Sequence, residues 1–166
     1  MERRTLLKAG LIVGAGLLAK AVGLIPAQAK ESKEMFEVTK TDDEWKKLLT
    51  EEQYEVLRKE HTERPFKNKY FDNKTSGTYL CAGCDLPLFS SKEKYDSGTG
   101  WPSFWKPIAD GAIRTKTDDA LIFPRTEVHC RRCGGHQGHL FDDGPPPTGL
   151  RYCINSAALK FVPEKP

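Results

Sequence analysis

The sequence predicts a mainly β, antiparallel domain preceded by two short helices and carrying a pair of cysteine knuckles. Three observations predict it. From residue 67 onward, helical periodicity disappears and short apolar runs alternate with Gly, Pro, Asp and Ser, the pattern of several short strands joined by turns. Helical spacing with capping residues is confined to residues 41–62. Four of the five cysteines fall into two C-x-x-C pairs, Cys81–Cys84 and Cys130–Cys133, far apart in sequence.

The N-terminus reads as an export signal. Arg3-Arg4 opens a charged start, residues 9–25 are apolar and rich in Gly and Ala, and Pro26-Ala27-Gln28-Ala29 offers small residues for cleavage before Lys30. The arginine pair followed by Leu6, Leu7 and Lys8 is similar to a twin-arginine signal, a route that exports folded, metal-loaded proteins. Lys20 splits the apolar run, so it falls short of the roughly 20 residues of a spanning helix. The expectation is residues 1–29 as signal and 30–166 as one domain, without stable membrane insertion once the signal is gone. Lys and Arg number 26 and Asp and Glu 23 over the whole chain; removing Arg3, Arg4, Lys8, Lys20 and Glu2 leaves 22 of each. A neutral domain has no basic surface for nucleic acid. Its size suits a single modest core and a monomer.

Thr41-Asp42-Asp43-Glu44 opens a helix with a good cap and an acidic first turn, and Trp45, Leu48 and Leu49 share its apolar face. Thr50-Glu51-Glu52-Gln53 is a capping box for a second helix ending near residues 60–62, with Tyr54, Val56 and Leu57 inward. Strands are expected over residues 77–81, 86–89, 112–116, 121–123, 126–130, 151–155 and 159–161. The prolines of Gly144-Pro145-Pro146-Pro147 make a stiff loop that delivers the 151–155 strand at a set angle.

Four cysteine thiolates at this spacing can close a tetrahedral zinc shell. In an exported chain they could instead be disulfides, or one pair could be redox-active, although no strand-then-helix context of a thioredoxin motif surrounds them. A closed zinc site leaves Cys153 as the one free thiol, a candidate nucleophile. On a strand, Arg151, Cys153 and Asn155 face the same side, which gives the thiol a cation and an amide as neighbours; the cation favours thiolate. His136 and His139 follow the second knuckle. One could replace a cysteine on zinc, but four are already present, so two neutral imidazoles are available to hold or protonate an oxygen leaving a substrate. The cluster from Tyr95 to Trp105 reads either as a glycine-rich loop presenting rings to a pocket or as an aromatic mini-core.

Taken in order, Cys81-x-x-Cys84, Ser97-Gly98-Thr99-Gly100-Trp101-Pro102-Ser103-Phe104, Cys130-x-x-Cys133-Gly134, Gly135-His136-x-Gly138-His139-x-Phe141-x-Asp143-Gly144 and Gly149-Leu150-Arg151-Tyr152-Cys153-Ile154-Asn155 resemble the B-type methionine sulfoxide reductases. The resemblance covers residues 36–162. It implies a β-tent-like fold of two antiparallel sheets with peripheral helices, and one structural zinc on Cys81, Cys84, Cys130 and Cys133. It further implies reduction of the R epimer of protein-bound methionine sulfoxide. Cys153 would attack the sulfoxide sulfur and become a sulfenic acid. His136, His139 and Asn155 would hold or protonate the oxygen, Arg151 would help ionise Cys153, and Asp143 would orient these groups. Trp101 and Phe104 would contact the substrate, Trp101 taking its S-methyl. The family commonly carries a resolving cysteine where this chain has Thr99, so an external thiol, from a thioredoxin-like domain or a small molecule outside the cytoplasm, is expected to recycle Cys153. The competing readings are a zinc-ribbon binding module without catalysis, which leaves Cys153 and the histidines unexplained, and a disulfide-stapled secreted domain, which leaves Cys153 unpaired.

Overall fold

A computed structural model describes residues 35–119 and 123–165. The expected signal over residues 1–29 lies outside the described residues, as do residues 121 and 122 of one expected strand; Phe123, its last residue, sits in a bend.

Helices α1 (Asp42–Leu48) and α2 (Glu51–Lys59) start where their caps predict. In α1 the Thr41 side chain accepts from the Glu44 N–H while Glu44 reaches back to the Thr41 backbone; Thr50 and Gln53 repeat this at α2. Glu60, in the left-handed conformation, ends α2. Trp45, Tyr54, Val56 and Leu57 are buried as expected, but Leu48 is 55% exposed. Leu49, just past the helix, takes the inward place instead.

The strands are β1 (Gly77–Cys81), β2 (Pro87–Ser90), β3 (Lys94–Tyr95), β4 (Ser103–Phe104), β5 (Ile113–Asp118), β6 (Arg125–Cys130), β7 (His136–Phe141), β8 (Arg151–Ile154) and β9 (Leu159–Pro163). They form two antiparallel sheets, one ordered β2-β1-β9 and the other β3-β4-β8-β7-β6-β5. The fold is therefore mainly β with two helices. Three strands were not expected: β3, β4 and the central β7. The Gly-His-Gln-Gly-His sequence that opens β7 has little intrinsic strand preference. It is extended because β6 and β8 pair with it on both sides.

Rings from both sheets meet in the core. Phe89 of β2 stacks on Phe104 of β4 with centroids 4.4 Å apart, and Tyr79 of β1 meets Phe104 edge-on at 5.1 Å. Phe104, Tyr152, Ile154 and Val128 turn one face of the larger sheet into this core. Its other face carries a register row running Tyr95, Ser103, Cys153, His139, Glu127, Lys116, each residue directly opposite the next. Residues paired this way share a face, with Cβ atoms about 5 Å apart.

Candidate active site and metal centre

Cys153 is half-buried in the middle of that row, between Ser103 of β4 and His139 of β7. Gly138 lets β7 come this close: a Cβ there would lie 2.0 Å from the Cys153 carbonyl oxygen. Arg151, two residues back on the same face, donates from Nε and Nη2 to the two Asp143 carboxylate oxygens at 2.7 and 2.8 Å. Its guanidinium lies over the Phe141 ring, 4.2 Å from the centroid. The fork-to-fork pair holds the Asp143 carboxyl below its ordinary range and fixes the cation beside the thiol.

The thiol does not respond as the sequence suggests. Burial pushes the Cys153 pKa up, and this outweighs the Arg151 charge and the hydrogen bonds from Thr99 and Arg151 that pull it down. Arg151 favours the thiolate, but burial outweighs it. Asn155 lies one residue past β8, so it is not a simple continuation of the strand face. Both ends of its amide are engaged: Oδ1 accepts from the Glu63 N–H at 3.1 Å and Nδ2 donates to the Gln137 carbonyl at 3.1 Å. The amide thereby locks the end of the nucleophile strand to β7 and to the segment after α2.

His136 and His139 are three apart, and a regular strand would point them to opposite faces. A bulge prevents this. Val128 faces Gly138 and His129 faces His136, so Gln137 is the extra residue and both histidines turn to the Cys153 side. Their rings meet at 5.3 Å. His136 Nδ1 is 2.8 Å from a Glu127 carboxylate oxygen, and His139 Nε2 is 2.8 Å from Asp118. Each carboxylate takes the N–H of a neutral ring, leaving His136 Nε2 and His139 Nδ1 as acceptors. Burial lowers both pKa values, that of His136 to about 4, so both rings are neutral at pH 7. Lys116 bridges Glu127 at 2.8 Å and Glu60 at 2.7 Å, which balances the buried carboxylate.

The aromatic block divides between the two readings offered for it. Trp101 is partly exposed, and its indole N–H donates to the Glu63 carbonyl at 3.1 Å. It sits on the turn that enters β4, beside the Cys153 row. Phe104 is different: the ring is 0% exposed and belongs to the core, so the expectation that it contacts substrate is corrected. The two-residue period of β4 explains this, because Ser103 faces the site and Phe104 faces away. Glu63, which sequence reasoning passed over, organises this corner. Its carboxylate accepts from the backbone N–H groups of Ser156 and Ala157, and its N–H and carbonyl hold Asn155 and Trp101. A hollow of about 460 Å³ lined by Phe66, Phe71, Tyr95 and Gly98 borders the same loop.

The two knuckles come together as their spacing predicts. The Sγ atoms of Cys81, Cys84, Cys130 and Cys133 all lie within 4.8 Å of one another. Across the knuckles, Cys81 and Cys133 are 3.6 Å apart and Cys84 and Cys130 3.5 Å. A tetrahedron with Zn–S bonds of about 2.3 Å has S···S edges of about 3.8 Å, so the four sulfurs fit a tetrahedral metal ion. Gln137 Nε2 lies 3.6 Å from Cys81 Sγ, in the place of a supporting donor. Neither His136 nor His139 is a ligand of this cluster among the described residues.

The structure thus brings Arg151, with its partner Asp143, and His136 and His139 to the face of the larger sheet that carries Cys153, while Asn155 and Trp101 are tied together through Glu63. The supporting groups Glu63, Glu127 and Asp118 carried no signal in the sequence beyond residue type, and Ser97 and Ser103 were legible only as members of the 97–104 motif. Known proteins match this sequence. The SelR domain family matches residues 49–163. The peptide methionine sulfoxide reductase MsrB of Leptospira interrogans is 54% identical over 129 residues, covering 78% of this chain and 98% of that protein. The MsrB of Pseudomonas putida is 55% identical over 130 residues, again 78% and 98%. The chloroplastic peptide methionine sulfoxide reductase B1 of rice is 54% identical over 127 residues, 76% of this chain and 59% of that protein. With a family match over most of the domain and the two bacterial relatives matched along nearly their whole length, this chain belongs to the B-type methionine-R-sulfoxide reductases, a family of oxidoreductases.

Proposed function

We propose that this protein reduces the R epimer of methionine sulfoxide in polypeptides, with Cys153 as nucleophile, and so repairs oxidised proteins. The observation that carries the reading is the register row that sets a half-buried thiol between Ser103 and His139, with the Arg151 cation on the same face. His139, neutral and directly opposite, takes the Cys153 proton as the thiolate attacks the sulfoxide sulfur and returns it to the sulfoxide oxygen. That oxygen passes to the Cys153 sulfur as the S–O bond and the transient S–S bond break, so methionine leaves as the thioether and Cys153 is left as a sulfenic acid. The atoms balance: one thiol and one sulfoxide become one sulfenic acid and one thioether. An external thiol then attacks the sulfenic acid, releasing water and forming a mixed disulfide, and a second thiol restores Cys153. Thr99 stands where an internal resolving thiol would have to be. Trp101 offers a ring face for the S-methyl group, a favourable sulfur–aromatic contact.

The four-cysteine cluster holds a structural Zn²⁺ in this reading. The ion ties the turn after β1 to the turn after β6 and contributes directly to folding. The donor set is all thiolate and closed, so the ion has no open position for substrate. The twin-arginine-like start supports a location outside the cytoplasm, where a thioredoxin-like domain or a small thiol would recycle the enzyme. No helix among the described residues is long and apolar enough to cross a membrane. The test is turnover of a peptide containing each pure epimer with dithiothreitol as reductant. The R epimer should be consumed and the S epimer should persist; equal turnover of both, or none of either, refutes the reading.

A further inference from the structure

Phe66 is displayed beside the turn that carries Trp101. It adopts a φ of 59°, in the left-handed region that a bulky side chain rarely enters, and the residue is 57% exposed. Two contacts with Gly100 hold it there. Its N–H donates to the Gly100 carbonyl at 2.9 Å, an oxygen that also accepts from Asn68 Nδ2 at 2.7 Å. Its ring lies over the same glycine: a Cβ on Gly100 would come 2.7 and 2.8 Å from the Phe66 ring carbons Cδ2 and Cγ. Backbone strain of this kind persists where the surrounding structure imposes it, and it clusters at ligand clamps. Here it shows an apolar ring to solvent next to Trp101.

That ring is one wall of the hollow of about 460 Å³ beside the Trp101 loop. Phe71 meets it edge-on at 6.0 Å, and Tyr95 and Gly98 line the same space. The charged lining is balanced, Lys74 and Lys94 against Asp72 and Asp96, and Lys94 Nζ is engaged by the Phe71 carbonyl at 2.8 Å. The hollow therefore offers rings and no net charge, which suits a neutral apolar side chain. Strand register places it relative to the nucleophile. Tyr95 faces Ser103 and Ser103 faces Cys153, so the hollow begins two strands away, about 10 Å from the thiol at about 4.8 Å per strand. An extended polypeptide advances about 3.3–3.6 Å per residue. A chain that presents an oxidised methionine to Cys153 thus brings a side chain two or three residues away to the hollow.

We propose that this hollow is a specificity subsite for the substrate polypeptide, in which Phe66 and Phe71 take an apolar side chain two or three residues from the oxidised methionine. This rests on the functional reading given above. It adds a preference that the chemistry at sulfur does not require: methionine sulfoxides with apolar neighbours in sequence are reduced first. Such segments are buried in folded proteins and extend across the hollow only when the substrate is unfolded.

The test is kcat/KM, with dithiothreitol as reductant, for short peptides that each carry one methionine R-sulfoxide. One peptide has glycine at every flanking position. In the others phenylalanine replaces one glycine at a time, moving outward from the sulfoxide on either side. The readout is the ratio of each phenylalanine peptide to the all-glycine peptide on the same protein, a ratio that a general loss of activity does not move. On wild type, phenylalanine two or three residues out should raise it about ten-fold through a lower KM, the factor expected for a partly buried aromatic side chain. Phe66→Ala should bring the ratio back to about one. Phe71→Ala, which leaves Phe66 over Gly100, should lower it as well. Turnover of every peptide without positional preference overturns the proposal. A ratio that survives Phe66→Ala also overturns it, because the ring would then only brace Gly100 and Trp101. Absence of turnover on any peptide by wild type would refute the functional reading and the subsite with it, whereas turnover without preference removes the subsite alone.

Discussion

Phe104 offers the sharpest separation of scaffold from site, because sequence alone puts it against the substrate and the structure puts it in the core. The ring is fully buried, stacked on Phe89 at 4.4 Å and edge-on to Tyr79 at 5.1 Å. Phe104→Ala leaves a cavity between the two sheets and should cost about 3–5 kcal/mol. That is a large share of the roughly 5–15 kcal/mol by which a domain of this kind is folded. Phe104→Leu is the more informative change. It keeps most of the volume but loses both ring pairings, each contributing about 0.5–1.5 kcal/mol beyond area burial. The expected loss is about 1–3 kcal/mol, a melting point lower by roughly 4 °C per kcal/mol for a domain of this size. Urea denaturation gives the stability, and steady-state kinetics on an R-sulfoxide peptide at 15 °C, where the variant stays folded, gives KM. The midpoint should fall while KM stays within two-fold of wild type. A Phe104→Leu protein as stable as wild type but with a several-fold raised KM would refute the assignment of this ring to the core.

Cys153→Ser should abolish sulfoxide reduction while leaving the circular dichroism spectrum and metal content unchanged, since serine is close in shape but a far poorer nucleophile; measurable turnover would displace Cys153 from its role. Replacing Cys84 by Ser should lose bound zinc, read by elemental analysis, and with it several kcal/mol of stability; a variant that still binds one zinc and melts like wild type would exclude the four-sulfur site. Because burial holds the Cys153 pKa above its usual value, only a minority of the thiol is ionised at pH 7 and its alkylation should accelerate as pH rises through 9; a rate already flat below pH 7 would reverse that sign. Arg151→Met should push the same profile further up, because the cation opposes burial. Trp101→Ala should raise KM for the peptide more than it alters alkylation of Cys153, and equal effects on both would mean the ring packs the thiol rather than the substrate.

Some features of this protein are set by residues close together in the chain, and these were legible. Both capping boxes, Thr41 with Glu44 and Thr50 with Gln53, form because a side chain three residues away can reach its own helix N-terminus whatever surrounds it. The knuckle cysteines announce a metal site because C-x-x-C spacing already brings two sulfurs to one turn. Cys153 was identifiable as the thiol left over, and the ordered motifs around it pointed to the family. Tertiary structure decided the rest. β7 is a strand because β6 and β8 claim its backbone groups, and no residue in Gly-His-Gln-Gly-His announces this. The bulge at Gln137 puts His136 and His139 on one face, which a reading by period two would separate. Phe104 and Ser103 exchange roles according to which face of β4 meets the other sheet. The ionisation of Cys153 reverses direction because desolvation depends on everything packed around the sulfur, whereas the neighbouring charge of Arg151 can be read along two residues of strand. Short-range geometry is written in spacing; burial and partnership are sums over residues that meet only when the chain is folded.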